Sequence, residues 1–229
     1  MTGSYFLKGL SVNHTVIVFD NHGIGNTTVG SKNFSIDQFV KDSIGLLDAL
    51  KINKFDILGY SLGGMIAQKL ASNYQGKVDD LIIYVSYCGG NQSTPPNPDM
   101  FNQVTNQSAS TDDLKKRIIP LLFTQDWIKQ NTDYLEKFAS FELPPAEILK
   151  RQADVIFSSE GICDQLKDIS QDTLVVTGTN DLVLSSANSM ILIEKIPGAW
   201  LAHFKDGGHA LMFQYPERLI KVINTFLED

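Results

Sequence analysis

The stretch that most constrains this chain is Phe55-Asp56-Ile57-Leu58-Gly59-Tyr60-Ser61-Leu62-Gly63-Gly64. Its first four residues read as a buried strand. A helical pattern begins directly behind the serine, with Leu62, Met65, Ile66, Leu70 and Tyr74 at helical spacing. A serine pinned between a strand and a helix lies on a sharp turn, in backbone angles that most residues avoid. Gly59 and Gly63 lack a Cβ, so strand and helix are expected to approach closely around that turn. The hydroxyl is then lifted clear of the sheet edge, toward a helix N-terminus whose free N–H groups can hold an anion. Gly-x-Ser-x-Gly in a strand–turn–helix context is the nucleophile elbow.

The rest of the chain alternates strand and helix patterns, the signature of a parallel α/β sheet. Thr15-Val16-Ile17-Val18-Phe19 is a continuous β-branched and aromatic run that predicts a strand buried on both faces. Residues 20–26 follow as a turn-rich loop. Ser35 predicts an N-cap, with Gln38 completing a capping box. Behind it Ile36, Phe39, Val40, Ile44, Leu47 and Leu50 form one apolar face. Leu81-Ile82-Ile83-Tyr84-Val85 predicts the next buried strand, running out to Gly89-Gly90.

From residue 91 to about residue 170 the pattern changes. Pro95, Pro96 and Pro98 punctuate a polar loop, and helices are predicted over 113–123, 124–139 and 145–157 with no strand between them. This region reads as a helical insertion lying over the C-terminal edge of the sheet, where open α/β sheets bind substrates. The chain thus divides into core residues 1–90, an insertion at 91–170, and core residues 171–229. Thr173-Leu174-Val175-Val176-Thr177 resumes the sheet and ends in Gly178-Thr179-Asn180-Asp181. A helix at 186–195, a last strand at 199–204, the loop Lys205-Asp206-Gly207-Gly208-His209 and a terminal helix behind Pro216 complete the pattern.

A chain of 229 residues suits one domain, here with an inserted lobe, and 43% apolar with 20% charged residues is ordinary for a soluble protein. A net charge of −7 argues against nucleic acid and against an anionic membrane surface as partners. No apolar run reaches the length of a membrane span, and the first residues do not open a signal peptide. Cys88 and Cys163 are far apart and lack metal-ligand spacing, so they read as reduced thiols. The expectation is a cytoplasmic protein with a small-molecule substrate.

A serine hydroxyl needs a base to take its proton, and that base needs a carboxylate to fix its tautomer and stabilise its charged form. Ser61, Asp181 and His209 each follow a predicted strand, so all of them fall on one edge of the sheet, in the chain order that the nucleophile elbow uses. Alone, Asp181 fits a turn aspartate and His209 fits a helix cap; together with Ser61 they form a catalytic set. His14 and His203 read as packing or surface residues. Asp20 and His22 read as organisers of their loop, and of the insertion's aromatic residues Trp127, Tyr134, Phe138 and Phe141 the first three read as its core rather than as substrate contacts.

These motifs resemble those of α/β-hydrolase fold proteins of the lipase, esterase and enol-lactonase type, from about Tyr5 to the C-terminus. The resemblance rests on Asp20-Asn21-His22-Gly23-Ile24-Gly25-Asn26, similar to the family's D-x-R-G-x-G-x-S loop, on the elbow, on Gly178-Thr179-Asn180-Asp181 and on Gly207-Gly208-His209. It implies Ser61 as nucleophile, His209 as base, Asp181 as its orienter, the Leu62 N–H as an oxyanion donor, the insertion as a cap, and no metal or organic cofactor. A serine nucleophile argues against the dehalogenase and epoxide-hydrolase branches. His22 stands where the family usually carries arginine.

The family also places an N-terminal strand pair, and then a strand ending in a His-Gly loop, before the stretch that begins here. No such pattern precedes Tyr5. A gap in mid-sheet would leave buried N–H and C=O groups unpaired at about 1–3 kcal/mol each. Either residues 15–19 shift to pair with the elbow strand, or the natural chain starts further upstream. The leading expectation is a serine hydrolase acting by acyl transfer on a small ester, lactone or thioester. The alternatives are a truncated or degenerate hydrolase serving as a non-catalytic binding module, and cofactor-free perhydrolysis or carbon–carbon bond hydrolysis.

Overall fold

In the computed structural model, which describes residues 2–97, 99, 102–103, 111–139 and 144–228, the elbow strand stands at the edge of a parallel sheet. The strands are β1 (Phe55–Tyr60), β2 (Val78–Tyr84), β3 (Asp172–Gly178) and β4 (Trp200–Phe204), hydrogen-bonded in the order β1-β2-β3-β4. Register pairs Ile57 with Leu81, Ile83 with Val175 and Val176 with Ala202.

Successive side chains of a strand point to opposite faces, and both faces here are covered, so the central strands are apolar throughout. Leu81, Ile83 and Val175 pack on one side with Phe39 and Val40 of helix α2 (Ile36–Ala49) and Ile66 and Leu70 of α3 (Leu62–Asn73). Ile82, Tyr84, Leu174 and Val176 pack on the other, against Leu219, Ile223 and Phe226 of the terminal helix (Pro216–Leu227). Helix α1 (Thr2–Leu10) joins that second layer through Phe6 and Leu10, an element the sequence pattern did not announce. Gly9 makes this contact possible, because a Cβ there would come within 2.4 Å of Ile220 Cδ1.

Residues 15–19 do not form a strand. They run past the sheet without ladder partners, and Ile17, Val18 and Phe19 are 43%, 65% and 44% exposed. Only Val16 of the run packs against the core. Nor does the run shift to pair with the elbow strand: among the described residues the outer edge of β1 has no partner. A β-branched sequence fits a pleated surface but cannot by itself supply the neighbour that completes a ladder.

The cysteines also depart from expectation. Cys88 and Cys163 form a disulfide across 75 residues of sequence, with Cα atoms 5.1 Å apart. It ties the exit of β2 to the loop that returns from the helical stretch. There Gly89 and Gly161 pass so closely that a Cβ on Gly161 would lie 2.4 Å from the Gly89 carbonyl carbon. The pairing is produced by that return, which sequence spacing does not encode, and it removes the argument from thiols to a reducing compartment.

Ser35 caps α2 as expected, its Oγ accepting from the Gln38 N–H at 3.1 Å. The capping box is only half formed, because the Gln38 side chain donates to Asp42 Oδ1 at 2.7 Å instead of reaching back.

Between β2 and β3 lie α4 (Thr111–Leu122), α5 (Gln125–Gln130), α6 (Thr132–Ala139) and α7 (Ala146–Ser158), with no strand among the described residues. Phe123 stacks on Trp127 at 4.7 Å and meets Phe138 edge-on at 5.2 Å, and Trp127 meets Tyr134 at 5.4 Å. Phe123, Trp127 and Phe138 form a local core together with Leu135, and it closes against Ala210 and Phe213. Pro98 and Phe141 lie outside the described residues. Helix α8 (Ala187–Lys195) follows β3. After β4, the short α9 (Leu211–Gln214) leads into α10, the terminal helix. No helix among the described residues is long and apolar enough to cross a membrane.

Candidate active site

Ser61 occupies the turn between β1 and α3 with φ 52° and ψ −116°, a positive φ that non-glycine residues rarely adopt. Three backbone contacts hold it there. Its N–H donates to the Tyr84 carbonyl at 3.0 Å. Its own carbonyl accepts from the Gly64 N–H at 2.9 Å and from the Ser86 hydroxyl at 2.7 Å. The Ser61 side chain makes no capping bond to the helix, so its hydroxyl is not consumed by local structure.

The glycines that permit this turn are Gly59 and Gly64. A Cβ on Gly59 would lie 2.2 Å from the Gly63 carbonyl oxygen, and one on Gly64 would lie 2.3 Å from Ser86 Cβ. Gly63 faces open space, so the close approach expected of it falls to its neighbour instead.

Asp181 leaves the end of β3 with its side chain fully enclosed. Oδ1 accepts from the backbone N–H groups of Val183 and Leu184 at 2.8 and 2.9 Å. Oδ2 lies 2.8 Å from His209 Nδ1. A carboxylate can only accept, so His209 donates from Nδ1, and in the neutral ring this leaves the lone pair on Nε2.

His209 itself is 3% exposed, in a loop gripped from several sides. The preceding N–H, of Gly208, donates to Gln214 Oε1 at 2.7 Å, and the following one, of Ala210, donates to the Leu122 carbonyl at 2.9 Å. Asn180 N–H donates to Gly207 O at 2.9 Å, tying the histidine loop to the aspartate loop.

The structure therefore joins Asp181 and His209 directly. The ring of Tyr60, the residue before Ser61, lies 5.2 Å from that of His209 and 5.0 Å from that of Tyr84. Burial first, and the nearby Asp181 charge as well, push the Tyr60 and Tyr84 hydroxyls well above the ordinary tyrosine range. Burial pushes Tyr87 up to about 12. All of them stay neutral at physiological pH: Tyr84 Oη accepts from Met212 N–H, and Tyr87 donates to the Ile156 carbonyl, both at 2.8 Å. Leu62 opens α3, and its N–H is among the donors that a helix start leaves without an intrahelical partner.

A cavity of about 20 Å³ lies against Ser61, Leu62, Met65, Val183 and Leu184. Tyr87, Pro96 and Ile156 also line it, and the same residues form one side of a second cavity of about 460 Å³. Among the described residues no group of three or more His, Cys, Asp or Glu side chains is arranged to hold a metal.

The other residues singled out by sequence fall elsewhere. His22 is 8% exposed, with Nδ1 3.0 Å from Asp42 Oδ2 and its ring edge-on to Phe34 at 4.3 Å. Asp20 closes on Gly25 within the same loop. Both organise that loop. His203 is exposed on β4, and His14 has its Nε2 buried without a partner. Sequence reasoning missed Tyr60, Ser86, Leu122 and Gln214. Tyr60 sits inside the motif and was within reach; the others act through contacts distant in sequence.

A family model described as alpha/beta hydrolase fold matches residues 4–216. A protein of Caulobacter segnis, provisionally named carbamate hydrolase RutD, is 22% identical over 227 residues, covering 97% of this chain and 84% of that protein. The 2-hydroxymuconate semialdehyde hydrolase of Pseudomonas putida is 27% identical over 205 residues, covering 86% and 70%. Among solved structures, a thermophilic esterase from Thermogutta terrifontis superposes with a TM-score of 0.85 at 23% identity, covering 99% of this chain and 84% of that one.

Proposed function

The chain belongs to the alpha/beta hydrolase fold family, and from that premise we propose that it is a serine hydrolase acting by acyl transfer on a small ester, lactone or thioester. The observation that carries this reading is the buried contact between His209 Nδ1 and Asp181 Oδ2 at 2.8 Å, on the sheet edge where Ser61 leaves its strand. That contact leaves Nε2 as the only basic atom of the neutral ring. Nε2 takes the Ser61 proton as Oγ attacks the carbonyl carbon, and His209 then returns the proton to the leaving alcohol or thiol. Asp181 orients the imidazole and offsets the positive charge that forms on it. The Leu62 N–H, at the positive end of α3, donates to the tetrahedral oxyanion. Water activated by His209 then releases the acid from Ser61.

In this reading helices α4 to α7 form the cap over the site, and the partner is a small molecule. The Cys88–Cys163 disulfide favours an oxidising compartment over the cytoplasm.

The test is covalent labelling with a fluorophosphonate, mapped by peptide mass spectrometry. Adduct is expected on Ser61, absent from Ser61→Ala and strongly reduced in His209→Ala. A folded protein that takes no label would support the non-catalytic binding reading instead. Product analysis with peroxide or a β-diketone separates ester hydrolysis from perhydrolysis and carbon–carbon cleavage.

A further inference from the structure

The cavity against Ser61 has only about 20 Å³ of room, so small movements of its walls decide what fits beside the serine. Most of those walls are firmly held. Val183 and Leu184 are fixed by Asp181, whose Oδ1 accepts both of their N–H groups. Tyr87 and Ile156 hold each other through the bond from the tyrosine hydroxyl to the Ile156 carbonyl. Pro96 is different. It belongs to residues 94–97, which have no regular structure, and it is buried between two exposed neighbours, Pro95 and Asn97. Two successive prolines supply no N–H, so this stretch cannot secure itself by backbone bonds at the prolines themselves.

Its anchor is Asn188, the second residue of α8, which is 1% exposed. The side-chain amide pairs with the backbone of Thr94 in both directions. Nδ2 donates to the Thr94 carbonyl and Oδ1 accepts from the Thr94 N–H, each at 2.9 Å. Both halves of the amide are used, and the two partners fix which way round it sits. A longer contact, from the Asn97 N–H to the Val183 carbonyl at 3.4 Å, closes the far side of the prolines. The wall is thus clasped by a side chain 94 residues away in sequence, on the same connection that carries Asp181.

On the reading of Ser61 as nucleophile, we infer that Asn188 sets the size limit of the substrate: by clasping Thr94 it holds Pro96 against the cavity beside the serine. Asn188 does not line that cavity, so it is a positioning residue and acts through the proline. Without the clasp, Pro96 is the wall that yields, and the space beside Ser61 grows. A bulkier ester then gains more than a small one.

The test measures kcat/KM for the wild-type protein, Asn188→Ala, Pro96→Ala and the double variant in two series of esters. One lengthens the acyl chain, from 4-nitrophenyl acetate to the hexanoate. The other enlarges the alcohol, from phenyl acetate to 1-naphthyl acetate. In the series whose growing end faces Pro96, Asn188→Ala is expected to raise the large-to-small ratio by about three- to thirtyfold. A merely structural loss lowers every ester alike, so unchanged ratios in both series would overturn the inference. Pro96→Ala should move the same ratio in the same direction. The double variant should go no further than the larger single change, because both substitutions act on one wall; fully additive effects would contradict that route. Should the alanine variant not fold, Asn188→Asp replaces it. It keeps an acceptor for the Thr94 N–H but sets an oxygen against the Thr94 carbonyl, and the same ratio should rise.

If the wild-type protein turns over no ester, the reading of Ser61 as nucleophile fails, and the clasp is judged without activity. Amide exchange followed by NMR at Thr94 and Asn97 should speed up about tenfold or more in Asn188→Ala, while the amides of β2 and β3 stay protected. Unchanged exchange at those two positions would overturn the inference on this arm as well.

Discussion

Gly208 donates its N–H to Oε1 of Gln214 across 2.7 Å, and so the residue before the histidine is held by the helix that follows it. The Gln214 amide nitrogen lies 3.4 Å from the Thr124 hydroxyl in the helical stretch between β2 and β3. One side chain thus links that stretch to the loop that carries His209. Gln214→Ala leaves a buried N–H without its acceptor, a loss of about 1–3 kcal/mol in stability. It also frees the imidazole to drift, and a displacement of about 1 Å can cost up to ~10²-fold in rate. The expected signature is a fall in kcat with KM nearly unchanged and the fold retained by circular dichroism. Gln214→Glu keeps the acceptor and should recover much of the lost rate. A stability loss without a kcat effect would give Gln214 a structural role only.

Gly64 and Ser86 set the geometry on the other side of the site. A methyl group at position 64 would strike Ser86 Cβ, and Ser86 donates to the carbonyl of Ser61. Gly64→Ala should therefore displace the elbow and lower turnover about tenfold or more. Gly63→Ala, which faces open space, should be tolerated. Comparing the two substitutions by ester hydrolysis and by thermal melting separates a local clash from a general intolerance of alanine in the turn.

The Cys88–Cys163 disulfide closes a loop of 75 residues around the helical stretch. On chain-entropy grounds a crosslink of that span contributes about 4 kcal/mol. For a domain of this size that corresponds to roughly 10 °C in Tm. The double variant Cys88→Ser/Cys163→Ser, and the wild-type protein under reductant, should both melt lower by about that much. Thiol titration of the unreduced, denatured protein should find no free cysteine. A full complement of thiols there would contradict the crosslink.

Acid groups at two places should respond to pH with opposite signs. Burial first, and the neighbouring charges of Asp56, Asp172 and Asp79, raise the Asp80 carboxyl above its ordinary value. Asp172 stands directly opposite it in the β2–β3 register. A carboxyl raised on folding destabilises the folded form at pH values above its folded pKa, and that cost disappears below its unfolded pKa. Asp80→Asn should therefore stabilise the protein at pH 7 by roughly 0.5 kcal/mol, and less in high salt. The gain should vanish below about pH 4. Asp42 is the reverse case. Its burial acts upward but is outweighed by the hydrogen bonds from His22 and Gln38 and by the positive charges of His22 and Lys32, so its carboxyl is lowered. Its contribution is present above the unfolded value and is lost as pH falls through the folded one. Asp42→Asn should thus destabilise at pH 7 and lose its effect in acid. Urea melts at pH 7, at about pH 3.5 for Asp80 and at about pH 2 for Asp42 check both.

The elements that bury both faces were legible in the sequence, because burial leaves its mark in local composition. The apolar run Leu81-Ile82-Ile83-Tyr84 could only be an interior strand, and the spacing of Met65, Ile66 and Leu70 could only be a helix packed on it. Ser61 was legible because its turn demands small neighbours at fixed offsets, although the demand falls on Gly64 rather than Gly63. Asp181 and His209 were legible from their places after strands.

What escaped depends on partners. Thr15-Val16-Ile17-Val18-Phe19 has the composition of a buried strand but, among the described residues, no strand beside it to pair with. Cys88 and Cys163 meet because a long helical stretch returns to its starting point. Gln214 matters for the carbonyl oxygen it aims at Gly208, which no periodicity records.

The central claim is that Ser61 carries the acyl group during turnover. Rapid quenching of the protein during hydrolysis of p-nitrophenyl acetate, followed by peptide mass spectrometry, tests it directly. The account predicts an acetyl group on the peptide that contains Ser61. It also predicts a fall of about 10³-fold or more in kcat for Ser61→Ala. Hydrolysis that persists in Ser61→Ala, or an acetyl group on any other residue, would contradict it.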